Sequence, residues 1–207
     1  MEKLIFKNES YSITLSVDDS NIYEIADFVV RENRMQHAPD ENTRSLYYDI
    51  NKVYKEESTY RNKLLYIVRD LSGKLIGCIR VFKWNKSDIL PIKNIFGVDP
   101  SKSLYTQPDT IYWHVGRFAI SQNMGKKSVE LFKRLMALAI SPIVKDEGNS
   151  CMIAETDSKL LRVMNILGMK TRQLAESKIY LNSETIPIIS LKSDLSYYYN
   201  RYSYLTI

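Results

Sequence analysis

Two residues on one β-rich run, His114 and Arg117, could do chemistry together, with Gly116 between them. A neutral imidazole has a reference pKa of about 6.5, so His114 could take a proton from an attacking ammonium, directly or through water. The same residue would serve equally as a core histidine packed against Tyr112 or Trp113. His114 and Arg117 are three apart and would face opposite sides of a regular strand. A bulge at Gly116 would bring them together, because glycine inside a strand often marks one. The residues just beyond, Gln122–Ser128, form a short polar loop with Gly125, Lys126 and Lys127 ahead of an apolar-faced helix. Free backbone amides at a helix N-terminus, with cations beside them, can hold a phosphate. Paired lysines in a loop are as often simply solvated. The unit predicts an enzyme acting on a phosphate-bearing, acyl-carrying substrate.

Arg80 belongs to a second β-rich run, LIGCIRVF (75–82). An arginine inside a β core needs an anion, since an unpaired buried charge is costly. Arg80 and Arg117 would therefore either organise a site and bind an anionic substrate group, or form salt bridges to Glu155 or Asp157. Both roles can hold at once.

The elements that must position these residues are legible from periodicity. Residues 11–17 alternate as a strand, and Asp18–Ser20 supply capping chemistry for a helix with Ile22, Ile25, Ala26, Val29 and Val30 on one face. The polar stretch Arg31–Thr43, with His37 and Pro39, predicts a loop with His37 on the surface. A second helix is expected between about Arg44 and Ser58. LLYIVRD and LIGCIRVF flank a turn with Ser72-Gly73, a strong hairpin signal. Residues 85–109 form a long connection with Pro91, Pro100 and Pro108, of a length that usually has a function or packs over one. The strand 110–121 and its helix follow, then a strand at 150–157. A helix at 158–168 ends on Gly168, and two strands fall within about 171–192. The order β-α-α-β-β-β-α-β-α-β-β predicts an α+β fold with a mixed sheet, mostly antiparallel, and one parallel crossover between 111–121 and 150–157.

The chain has 207 residues, enough for a substantial core, and no repeat or linker divides it. A single domain, 1–207, is expected. Its Tyr-rich extension at about 193–207 would pack back on the sheet, close over an acyl pocket or make a dimer contact. Charged residues are 26% and hydrophobic residues 44%, with no apolar run of membrane-spanning length and no secretory h-region in the first ten residues. A cytoplasmic location is the default expectation, with no integral membrane segment. The net charge of +5 is spread without a basic stripe, which speaks against nucleic acid and for an acidic partner. Cys78 and Cys151 lie in apolar runs, predicting buried reduced thiols rather than a disulfide or metal pair. Met124, Phe132, Leu135 and Met136 are expected in the core or along an acyl tunnel.

GKLIGCIRVFKW (73–84), DILPIKNIFGVDP (88–100) and IYWHVGRFAIS (111–121) resemble the acyl-homoserine-lactone (autoinducer) synthases and N-acyl amino acid synthases, a branch of the GNAT acyltransferase superfamily. The resemblance covers about residues 60–170. Those families carry a glycine–cysteine/serine–x–arginine strand and an E-x-x-R-F-x-V strand. Here His114 stands at the position of that glutamate, and residues 31–49 match the family's N-terminal pattern poorly. The resemblance implies a central splayed sheet and transfer of an acyl group from coenzyme A or acyl carrier protein to a small amine or amino acid. The donor would be acyl-CoA or acyl-phosphopantetheine, with no metal. Its arm would pair with backbone groups of Phe118, Ala119 and Ile120, and its phosphate with the loop of Gln122, Met124, Gly125, Lys126, Lys127 and Ser128. Arg80, His114 and Arg117 would form the catalytic set. Of the common phosphate motif R/Q-x-x-G-x-G/A only Gln122 and Gly125 survive, which favours a carrier's single phosphate over a pyrophosphate. An acetyl-CoA-dependent N-acetyltransferase and a catalytically inactive GNAT-fold binding module are the alternatives.

Overall fold

The computed structural model of the chain describes residues 2–37, 43–181 and 183–206. Its centre is a nine-stranded sheet of β1 (Glu2–Lys7), β2 (Tyr11–Ser16), β3 (Leu64–Asp70), β4 (Leu75–Lys83), β5 (Ile111–Ile120), β6 (Ser150–Asp157), β7 (Arg172–Gln173), β8 (Lys178–Tyr180) and β9 (Ser183–Leu191). The strand order is β1-β2-β3-β4-β5-β6-β9-β7, with β8 also paired to β9. β5 and β6 run parallel, and every other neighbouring pair is antiparallel. The expected mixed sheet with one parallel crossover is present.

The crossover helix α4 (Lys127–Lys145) packs its apolar stripe, including Leu131, Leu135 and Ile140, on one face of the sheet against Ile79, Val81 and Val115. The opposite face is covered by α1 (Ile22–His37) and α2 (Thr43–Thr59), with Ile25 and Val29 packed on Ile67 and Cys78. β4 is therefore buried along nearly its whole length. That explains its nearly unbroken apolar run and makes its one buried charged residue, Arg80, conspicuous. After β6 comes α5 (Ser158–Ile166), capped by Asp157, whose carboxylate accepts the Leu160 amide at 2.8 Å. The Tyr-rich end is α6 (Lys192–Tyr202), which packs back on α4 through Leu195, Tyr198 and Tyr202. No described helix is long and apolar enough to cross a membrane.

Several expectations need correction, among them the two strands within about 171–192, which are three: β7, β8 and β9. Residues 31–37 are not loop: α1 continues through His37, which is half-buried with Nε2 4.0 Å from an Asp157 oxygen. The polar letters misled because Arg34 is a buried interface residue, donating to Asp49 of α2 at 2.7 Å and to Ser45 at 2.6 Å. Pro39 lies outside the described residues. β1 was not anticipated; its largely exposed residues carry little apolar pattern, and pairing with β2 defines it. The connection 85–109 contains a short helix, α3 (Pro91–Phe96), with Pro91 in its first turn and Gly97 closing it at φ 71°.

Candidate active site

The β4–β5 register places Arg80 opposite Gly116 and Phe82 opposite His114. Cys78 pairs with Ala119, so the single residue Ile79 faces both Arg117 and Phe118. This is a bulge, one residue beyond Gly116. Arg117 sits in the left-handed region at φ 54°, a conformation that a bulky residue holds only where its surroundings fix it. Two things fix it: the Cys78 thiol donates to its carbonyl at 3.1 Å, and its side chain is clamped by two carboxylates.

Those carboxylates come from the last turns of α2, not from β6. Arg117 Nε donates to Glu57 Oε1 at 2.7 Å and its Nη2 to Glu56 Oε1 at 2.6 Å. Tyr180 of β8 donates its hydroxyl to the other Glu56 oxygen at 3.1 Å. Arg80, 1% exposed, has its Nε 3.1 Å from Glu57 Oε2, an ion pair without the alignment of a hydrogen bond. Its guanidinium also lies over the Phe82 ring, 4.7 Å from the centroid. Arg80 Nη1 is 2.6 Å from His114 Nδ1, and His114 Nε2 is 2.9 Å from Glu155 Oε2. Arginine has only donors, so Nδ1 must present its lone pair, and the ring proton then sits on Nε2, facing Glu155.

The alternative of salt bridges from the arginines to Glu155 or Asp157 is thus replaced by a longer chain: Tyr180, Glu56, Arg117, Glu57, Arg80, His114, Glu155. Burial would raise the Glu57 carboxyl, but Arg80 and Arg117 outweigh it and hold it below its ordinary value. Burial opposes ionisation of Glu155 in the same way, and His114, Arg80 and Arg117 together hold that carboxyl down. Cys78 and Cys151 are buried free thiols. Burial pushes the Cys78 thiol far up and that of Cys151 to about 12, so neither is an available nucleophile.

Gly116 makes the chain possible. A Cβ built there would lie 2.7 Å from Arg80 Nη2, and Arg80 is held on two other sides by Glu57 and His114. Gly116→Ala is expected to destabilise the protein by about 1–3 kcal/mol, as an overpacked core does. Urea unfolding of the variant measures this.

β5 and β6 pair only as far as Val115 and Ala154, and then separate. A cavity of about 130 Å³ opens there, lined among others by His114, Gly116, Arg117, Glu155 and Thr185. One carboxylate oxygen, Glu155 Oε1, is buried without a hydrogen-bond partner among the described residues, and the side chain is 9% exposed. Both ring nitrogens of His114 are engaged and the residue is 1% exposed, so beside it Glu155 offers a carboxylate oxygen with a free lone pair at this cavity, where the buried Asn33 Oδ1 is likewise unpartnered among the described residues.

A groove of about 390 Å³ adjoins the cavity and shares Val29, Asn33, Phe118, Asp157 and Leu160 with it. Phe118, Ala119, Ile120, Gln122 and Ser128 line this groove, together with α1 residues such as Glu32 and Gln36. Met124, Lys126 and Lys127 line a different depression, with Ser10 and Lys74. Lys127 donates to Ser10 at 2.9 Å. Gly125, at φ 52°, turns the loop and lines neither depression. The expected donor residues therefore divide between two surfaces. Glu32 was not anticipated; it is buried, and its carboxylate accepts the Gln122 backbone amide at 3.3 Å, one of the amides expected to face a phosphate.

No protein-family model and no curated protein matches the chain. Solved structures do. TofI, in a ternary complex with an inhibitor and MTA, aligns at 12% identity over 89% of this chain and 96% of its own, with a TM-score of 0.58. FeeM, an N-acyl amino acid synthase from uncultured soil microbes, aligns at 14% identity over 88% and 90%, TM-score 0.56. BjaI, a CoA-dependent acyl-homoserine lactone synthase solved with SAM and isopentyl-CoA, aligns at 14% over 89% and 81%, TM-score 0.54. The chain has the GNAT fold, in the form it shares with the autoinducer synthases and the N-acyl amino acid synthase.

Proposed function

We propose that this protein is an N-acyltransferase that moves an acyl group from the thioester of coenzyme A or acyl carrier protein to the nitrogen of a small amine or amino acid. The observation that carries this is the parting of β5 from β6 beyond Val115 and Ala154, with the unpartnered oxygen of Glu155 at the cavity it opens. The thioester arm would lie in the groove along Phe118–Gln122, with its carbonyl at the parted strands. The BjaI structure, described as that of a CoA-dependent acyl-homoserine lactone synthase with isopentyl-CoA, and the activity named for FeeM support the choice of reaction.

Glu155 Oε1 would accept one proton from the acceptor's ammonium, freeing its lone pair to attack the thioester carbonyl. The C–N bond forms, and the oxyanion of the tetrahedral intermediate is held by backbone amides along Gly116–Ile120. On collapse the C–S bond breaks, the sulfur leaves as thiolate, and the second proton on nitrogen passes to it. The products are an amide and a free thiol, and Glu155 returns its proton to solvent. His114 is a positioning residue here, fixed by Arg80 and holding the carboxylate. The contact of Glu32 with the Gln122 amide weighs against a pyrophosphate at that point and favours the single phosphate of an acidic carrier protein.

One observation favours a second reading, an acetyl-CoA-dependent N-acetyltransferase: a cavity of about 130 Å³ has room for a short acyl group. Incubating the protein with acetyl-, hexanoyl- and longer acyl-CoA, and with the matching acyl carrier proteins, in mixed amines and following thiol release tests both. Release with a medium or long carrier-bound donor supports the first; release confined to acetyl-CoA supports the second. No donor binding and no release with any donor would overturn both.

A further inference from the structure

The charged groups at the cavity do not balance. Its lining holds two cations, Arg80 and Arg117, and both are already occupied by Glu57 and Glu56 of α2. Its lining also holds two carboxylates, Glu155 and Asp157. Asp157 is used in part as the cap of α5. Glu155 spends one oxygen on His114 and leaves the other buried and unpartnered. Along the buried chain, three carboxylates (Glu56, Glu57, Glu155) face two guanidiniums, with one ring proton on His114. Among the described residues, no lysine lines the cavity. Lys52 lies on the Tyr180 ring at 4.9 Å and is exposed, and Lys63 is paired to Asp19 at 3.0 Å.

A buried oxygen with a formal share of negative charge and no donor asks for a cation with N–H groups. An anion brought to the same place would meet Glu155 with no unpaired guanidinium to offset it. We infer that the acceptor is a cationic amine with no carboxylate on the carbon that bears its nitrogen, and that its ammonium is held by Glu155 Oε1. This rests on the acyl-transfer reading for the reaction, but the preference itself is a property of the cavity. It separates this chain from an acylase of free α-amino acids, for which a second, unpaired cation would be needed at the site.

Matched acceptor pairs that differ only by the carboxylate give the test: tyramine with tyrosine, agmatine with arginine, cadaverine with lysine. With a thioester donor that the protein accepts, each decarboxylated member is expected to show kcat/KM roughly 10-fold or more above its amino acid, the effect of an uncompensated like-charge contact. Equal or better use of the amino acids would overturn the inference. Calorimetric titration of tyramine into the wild-type protein and into Glu155→Gln, without donor, gives a readout independent of turnover. Tyramine binding that weakens at least about tenfold in the variant supports the site even if no acyl transfer is found. Failure of all three amines to bind or react would overturn it. Absent thioester binding with intact amine binding would instead remove the proposed reaction and leave the cation site standing.

Discussion

Replacing Glu57 with alanine is expected to cost the fold about 3–5 kcal/mol, the penalty for breaking a buried ion pair by removing one partner. Glu57 is 4% exposed and serves two guanidiniums, accepting from Arg117 Nε at 2.7 Å and facing Arg80 Nε at 3.1 Å. Without it Arg80 keeps only His114 as a polar partner among the described residues, and Arg117 keeps Glu56. For a protein of this size each kcal/mol moves the melting temperature by about 2–4 °C, so a fall of roughly 6–20 °C is expected. Asp27→Ala, which breaks the exposed Arg31–Asp27 pair on α1, is the control and should cost no more than about 0.5 kcal/mol. A Glu57→Ala protein that melts within about 2 °C of wild type would show that the pair contributes nothing net.

The pH course carries the same information. The Glu57 and Glu155 carboxyls are held below the ordinary 4.5 in the folded chain. A depressed folded value contributes stability that is fully present above the unfolded value and is lost as pH falls through the folded one. Wild-type stability should therefore fall below about pH 4.5. That of Glu57→Gln should fall less steeply over the same range, as denaturant midpoints measured from pH 7 downward would record.

How far this site could be foreseen depends on the separation of its parts along the chain. Arg80, His114 and Arg117 stand out because each interrupts an apolar strand, and a β core tolerates such residues only when they are paired. The hairpin 64–83 and the strand–loop–helix at 110–139 are equally legible, since their turns and periodicity are local. The partners are not. Glu57 lies 60 residues from Arg117 and Glu56 lies 61, so only the packing of α2 on the sheet could reveal them. One signal was available: two glutamates in the last turns of a predicted helix oppose its dipole, and such a placement asks for nearby cations. The lysines of the loop are a different case: sequence spacing does not say which side of a loop a side chain takes, and Lys126 and Lys127 line the depression beside Ser10 rather than the groove.

The strongest effect on rate is expected from Glu155→Gln. Glutamine keeps the size and one acceptor for the His114 Nε2–H, now 2.9 Å from Glu155 Oε2, so the strand and the imidazole should stay in place. It cannot accept the proton that the ammonium must lose, and general-base catalysis of this kind is worth about 10²–10⁴ in rate. A loss of that order in kcat/KM should come with unchanged donor affinity, because the groove along Phe118–Gln122 does not include Glu155. His114→Gln gives the contrast. It removes the link between Arg80 and the carboxylate but leaves Glu155 present, so turnover should fall less than in Glu155→Gln. Glu155 would be freed from the hydrogen bond that helps keep it ionised, and the acid limb of the rate profile should move to higher pH. If Glu155→Gln retains wild-type turnover while His114→Gln abolishes it, the imidazole is the base after all and the roles assigned along this chain must be exchanged.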